Sequence, residues 1–137
     1  MKTLADFRAG DTFELVRACD RYRPIYYAGA SGDFNPLHID PEVGRRAGQE
    51  GAILQGLCTM AWFADACVRY FGDPTRIVKI ATRFARPVRP GDVIRFMGRC
   101  VAVEGSRVRV EVSARNQRGE DVLVRSSAEA DFAEVGR

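Results

Sequence analysis

Leu57-Cys-Thr-Met-Ala-Trp-Phe-Ala-Asp-Ala-Cys-Val-Arg-Tyr-Phe71 is apolar on nearly every side, relieved only by Thr59 and by Asp65 and Arg69, spaced as an i,i+4 pair. Read as a helix it makes about four turns. A helix that is apolar on most faces belongs in the centre of a structure rather than on its surface. Gly56 stands just before it and Gly72-Asp73-Pro74 just after, which mark its start and its stop.

On the C-terminal side the periodicity changes to two. Val78-x-Ile80-x-Thr82-x-Phe84 is followed by Val93-Ile94-Arg95-Phe96, Val108-Arg109-Val110-Glu111-Val112 and Val122-Leu123-Val124. Turn signals separate these runs at Arg89-Pro90-Gly91-Asp92, Glu104-Gly105-Ser106 and Asn116-Gln117-Arg118-Gly119. They predict four antiparallel strands. On the N-terminal side a short strand over Thr12–Ala18 precedes a helix capped by Asp20 and beginning at Arg21, with Pro24 still in its first turn and a break at Gly32. Asp33-Phe34-Asn35-Pro36 reads as a turn. The whole is an α+β plan: an antiparallel sheet with a long buried helix against one face. Such a sheet exposes edges, which oligomerisation commonly covers.

The length, 137 residues, suits one domain over 1–137, and 46% hydrophobic with 28% charged residues is ordinary for a globular protein. No apolar run approaches the roughly 18–20 residues needed to span a bilayer, and Asp6 interrupts the start where a signal peptide needs its apolar stretch. Cys19, Cys58, Cys67 and Cys100 show no C-x-x-C spacing. Reduced thiols and a cytoplasmic location are expected. The net charge is +3, and apart from Lys2 and Lys79 the basic residues are all arginine. That surplus is too small for a nucleic-acid footprint, which needs basic residues gathered on one face beside a recognisable motif. Arg83, Arg86 and Arg89 suit recognition of phosphates or an acidic partner, and equally a solvated strand face.

The chain has one histidine, His38, five residues after Asp33. A zinc site would need three or four ligands at suitable spacing, so no metal is expected. No G-x-S-x-G elbow, Walker A loop or G-x-G-x-x-G sequence is present, and no cofactor is implied. What remains is acid–base work by an Asp and a His. Adding water to an α,β-unsaturated thioester needs a base for the water, an acid for the α-carbon, and donors for charge developing on the thioester oxygen. Asp33 and His38 meet the first two needs. Unpaired N–H groups at the start of the long helix, where Gly56 permits close approach, meet the third. On residue types alone the favoured reading is the plainer one, with Asp33 and Asn35 as simple turn-formers and His38 on the surface or satisfied in the core.

Tyr27-Ala28-Gly29-Ala30-Ser31-Gly32-Asp33-Phe34-Asn35-Pro36-Leu37-His38-Ile39-Asp40 resembles the hydratase signature of the MaoC-like family, the (R)-specific enoyl-CoA hydratases and (3R)-hydroxyacyl-carrier-protein dehydratases. A Gly-led central helix follows, and Arg83-Phe84-Ala85-Arg86-Pro87-Val88 is similar to the family's strand before its Pro-Gly-Asp turn. The resemblance implies a single hot-dog fold, an antiparallel sheet wrapped around the central helix. It implies that Asp33 and His38 are the catalytic pair, with Asn35 holding the loop and, with Gly56 and Leu57, lying on the substrate side. It implies acyl-CoA or acyl-carrier-protein thioester substrates, and a homodimer or a heterodimer with a related hot-dog subunit, the tunnel lying near the interface. Where the family reads His-Gly-Met, this chain has Gln55-Gly56-Leu57, a change expected to bear on pocket polarity and substrate choice more than on activity. Two alternatives accompany this reading: a hot-dog acyl-CoA thioesterase, and a non-catalytic subunit, against which intact Asp33 and His38 speak. Trp62, Phe63, Tyr70 and Phe71 suit either an acyl tunnel or the core, while Cys58 and Cys67 belong to the core.

Overall fold

In the computed structural model, which describes residues 1–134, the apolar segment becomes one helix over Gly56–Phe71, starting one residue earlier than its spacing predicts. The chain runs β1 (Thr12–Ala18), α1 (Arg23–Ser31), α2 (Pro36–Ile39), α3 (Pro41–Arg46), α4 (Gly56–Phe71), β2 (Ile77–Phe84), β3 (Val93–Glu104), β4 (Arg107–Arg115) and β5 (Asp121–Asp131). Of the span expected as one domain, 1–137, residues 135–137 lie outside the described residues.

The strands form one sheet in the order β1-β3-β4-β5-β2, every neighbouring pair antiparallel. Period-two alternation decides which face meets α4. Ile94, Phe96 and Cys100 of β3, Val108, Val110 and Val112 of β4, and Val122, Ala128 and Ala130 of β5 point inward, while Arg95, Arg109, Glu111 and Arg125 point outward. Against them α4 lays Cys58, Trp62, Phe63, Ala66, Cys67, Tyr70 and Phe71 in one core. Phe96 faces Ala114 and Val110 faces Ala128 across the ladders, so large residues oppose small ones and leave room for the aromatic rings of the helix. This is the hot-dog fold.

Four expectations need correction. The first helix begins at Arg23, not Arg21: Asp20 Oδ1 accepts from the Tyr22 N–H at 2.8 Å, which closes a local turn ahead of the helix instead of capping it. The stretch after Asp33 is not only a turn, because α2 and α3 follow at once. Asn35 and Asp40 each cap a helix whose first residue is a proline. α4 is buried on one side only; Leu57 and Ala61 reach the surface, and Arg69 pairs there with Asp65 at 3.0 Å, as its spacing predicts. The strands are also longer than their hydrophobic runs. β3 continues through Gly98, whose missing side chain makes way for Phe13: a Cβ there would sit 2.1 Å from that ring. Phe13 in turn stacks on Tyr70 at 4.4 Å between centroids.

Among the described residues no helix is long and apolar enough to cross a membrane. All four cysteines are unpaired and buried, and burial pushes the Cys19 and Cys67 thiols up to about 12. With all four thiols buried, native protein should leave a disulfide-exchange dye uncoloured, and all four should react after denaturation. Stoichiometric reaction of any cysteine in the folded protein contradicts this packing.

Candidate active site

The loop after α1 is built almost wholly from local side-chain-to-backbone bonds. Gly32 ends α1 in the left-handed conformation, φ 78°, where a side chain would be strained. Ser31 Oγ donates to the Tyr27 carbonyl at 2.7 Å and accepts from the Asp33 N–H at 3.1 Å. Asp33 Oδ1 accepts from the Asn35 N–H at 3.3 Å, and Asn35 Oδ1 accepts from the Leu37 N–H at 3.0 Å. The chain then turns as α2 and brings His38 back toward Asp33. One carboxylate oxygen of Asp33 is thereby spent on the loop, and the other, Oδ2, faces His38 Nε2 at 3.7 Å.

That distance is too long for a direct hydrogen bond. The other ring nitrogen explains what the pair can do. Nδ1 lies 2.8 Å from the carbonyl oxygen of Ile53, which can only accept, so Nδ1 carries the hydrogen. In its neutral form the ring turns the lone pair of Nε2 toward the Asp33 carboxylate, placing two acceptors side by side with room for one shared donor, a water or a hydroxyl group. His38 is largely covered while Asp33 is half exposed, its side chain 46% accessible.

His38 stands between two clefts. One, of about 300 Å³, is bounded by Ile53, Leu54, Gly56, Thr59, Phe84 and Val88 and is mainly apolar. The other, of about 520 Å³, is bounded by Tyr22 and Ile25 and by three arginines, Arg21, Arg45 and Arg89. Arg89 pairs with Glu50 at 3.2 Å and Arg45 with Glu42 at 3.3 Å. The first cleft ends on the N-terminus of α4. There the Cys58 and Thr59 N–H groups return to the Gln55 carbonyl, and the Gly56 and Leu57 N–H groups are left at the positive end of the helix without a partner among the described residues.

The structure therefore brings His38 and Gly56 to one cleft, with Asp33, which lines neither cleft, facing His38 at 3.7 Å. Asn35 caps α2 through its side-chain oxygen and so holds the loop, as the resemblance implies. Leu57 is exposed on the outer side of α4 and lines neither cleft. Gln55, expected to alter pocket polarity, also lines neither; it is 1% exposed. Trp62, Phe63, Tyr70 and Phe71 all go to the core. Arg89 reaches a cleft wall, Arg86 lines the apolar cleft and pairs with Glu120 at 3.4 Å, and Arg83 lines neither cleft. Two contributors were not singled out by spacing. The Ile53 carbonyl sets the histidine tautomer, a main-chain role with no sequence signature. Phe84 ends an alternating run that suggests a core position, yet its ring lies half exposed over Gly56, where a Cβ would approach it to 3.2 Å.

The site is thus an aspartate facing a histidine at the mouth of a hot-dog core, beside the N-terminus of its central helix. The family model described as MaoC like domain matches residues 13–121. The chain belongs to the MaoC-like family. A Dictyostelium discoideum protein named "Probable enoyl-CoA hydratase 2" is 41% identical over 80 residues, which are 57% of this chain and 27% of that one, so the match spans about a quarter of that relative's length. The unliganded R-hydratase PhaJ1 from Pseudomonas aeruginosa superimposes with a TM-score of 0.84 at 24% identity, over 98% of this chain and 92% of that one. A chain of the ChsH1-ChsH2 complex from Mycobacterium tuberculosis gives 0.81 at 22% identity, over 92% and 98%. At these identities the two structures speak for the fold.

The segment that carries Ile53 is held where α3 meets residues 47–52, and Gly44 is the point of contact: a Cβ there would lie 1.9 Å from the Gly51 carbonyl oxygen. Gly44→Ala should cost about 1–3 kcal/mol or more in denaturant unfolding, as overpacking against backbone does. Gly29→Ala, on α1 with open space around it, should be neutral or stabilising by up to about 1 kcal/mol. Equal effects at the two glycines contradict the proposed contact.

Proposed function

We propose that this domain, 1–137, interconverts trans-2-enoyl and (3R)-3-hydroxyacyl thioesters of coenzyme A or an acyl carrier protein, without a metal or cofactor. The observation that carries the reading is the pair of acceptors Asp33 Oδ2 and His38 Nε2, 3.7 Å apart at the mouth of an apolar cleft. In hydration, a water held between them gives one proton to this pair as its oxygen bonds to the β-carbon. Electrons of the C=C bond move toward the thioester oxygen, where the Gly56 and Leu57 N–H groups hold the developing charge. The proton returns to the α-carbon, and the pair ends as it began. Dehydration is the reverse: the 3-hydroxyl group takes the place of the water and leaves with a proton from the pair. Names carried by relatives of this chain, enoyl-CoA hydratase 2 and R-hydratase, agree with this chemistry.

The acyl chain would enter the cleft under Phe84, and the arginine-lined cleft on the other side of His38 suits a phosphate-bearing carrier. Four unpaired thiols suit a reducing compartment, the cytoplasm. The working unit is a dimer, of two copies or of one copy with a related hot-dog subunit. β2 is an edge strand carrying half-exposed Val78 and Phe84, with exposed Leu57 on the neighbouring end of α4. Open ladder groups beside apolar side chains favour pairing with a second sheet.

Loss of absorbance at the enoyl-thioester band with crotonyl-CoA and longer enoyl-CoAs tests the activity. Asp33→Asn and His38→Ala should each lower turnover by about 10²–10⁴-fold while far-ultraviolet circular dichroism stays that of the parent. Folded protein that consumes none of these substrates, alone or with a partner subunit, contradicts the reading. For the assembly, light scattering should give a dimer mass, and Val78→Arg should lower it to the mass of separate chains.

A further inference from the structure

Gln55 is polar, yet its side chain is almost completely buried, 1% exposed. It does not cap α4. Its Nε2 donates instead to two main-chain carbonyls on other segments, that of Pro24 in α1 at 2.9 Å and that of Asp33 at 3.4 Å. The amide oxygen has no hydrogen-bond partner among the described residues. Burying an amide with one end unsatisfied is costly, and a leucine would fill similar space without that cost. Filling the space is therefore not what the position requires. It requires a donor.

The place of that donor is what matters. The Gln55 main chain is the first residue of the α4 cap, directly before the Gly56 N–H, and its side chain reaches the peptide of Asp33. One residue thus spans the two halves of the site, the donors at the helix start and the carboxylate of the loop. The Asp33 side chain is oriented by the Asn35 N–H from one side, and its peptide by Gln55 from the other. Resting on the hydratase reading above, we infer that Gln55 is a positioning residue: it holds the Asp33 peptide at a fixed distance from the Gly56 donors, and so sets the carboxylate against His38. Its effect falls on turnover, and only weakly on substrate choice.

Three variants test this. Gln55→Leu removes the donor and should lower kcat by about tenfold to a hundredfold, the cost of a small misplacement of a reacting group, with KM nearly unchanged. Gln55→Glu has a signature that a packing role would not produce. An ionised carboxylate would face two carbonyl oxygens and repel them, whereas a protonated one can donate as the amide does. Its kcat relative to the parent should therefore rise as pH falls. Gln55→His should recover most of the turnover lost in Gln55→Leu, because an imidazole N–H can also donate. The single imidazole of the chain supplies a readout independent of turnover. In Gln55→Leu the ¹⁵N resonance of His38 Nε2, which faces Asp33, should shift, while that of Nδ1, bonded to Ile53, should not. Parent-like kcat in Gln55→Leu, a Gln55→Glu pH profile that superimposes on the parent's, or an unmoved Nε2 resonance overturns the inference. A moved Nε2 resonance in a protein whose parent consumes no enoyl thioester supports the role of Gln55 and counts against the hydratase reading alone.

Discussion

Burial of one side of α4 inside the curl of the sheet is the constraint on which everything else in this molecule depends. Phe63 and Phe71 are wholly covered, Trp62 and Tyr70 nearly so, and each large apolar side chain removed from water contributes roughly 1.5–3 kcal/mol. The sheet accommodates them by keeping its facing residues small where α4 is bulky: Ala114, Ala128 and Ala130 are buried without adding volume. A helix fixed so firmly along its length has its first turn fixed as well. That turn is where the unpaired N–H groups of Gly56 and Leu57 emerge, beside a loop with little hydrophobic anchoring of its own.

The loop answers with directional bonds. From Ser31 to His38 almost every polar side chain closes a bond to a backbone group two to four residues away, and the few longer ties are those that aim the site. The Ile53 carbonyl chooses the tautomer of His38; the Gln55 amide reaches the Asp33 peptide. The result is a carboxylate and an imidazole that face one another at 3.7 Å without a direct hydrogen bond between them.

Much of this was legible in the residues. The limits of α4 follow from Gly56 and Gly72, the sheet from its alternation, and the pairing of Asp33 with His38 from the single histidine and a turn of the right length. Other features were hidden for physical reasons. β5 runs to Asp131, but after Val124 its inward residues are Ser126, Ala128 and Ala130, too small to register as a hydrophobic stripe, and a bulge with Arg125 at φ 51° interrupts the period. β3 hides behind Gly98, whose reason is a ring on another strand. α2 and α3 are short, and their signal, an Asx cap before proline, occurs at both Asn35-Pro36 and Asp40-Pro41 yet also describes a turn. Gln55 carries no signal of its role at all, since what it binds is backbone from segments distant in the chain.

A crystal structure of the protein with a (3R)-3-hydroxyacyl thioester bound would test the central claim most directly, because it locates the reacting atoms. The 3-hydroxyl oxygen should lie within hydrogen-bond reach of both Asp33 Oδ2 and His38 Nε2, with the thioester oxygen on the Gly56 and Leu57 N–H groups and the acyl chain beneath Phe84. A ligand whose hydroxyl group meets neither side chain, or whose thioester lies away from the start of α4, would show that this pair of acceptors is not where the chemistry happens.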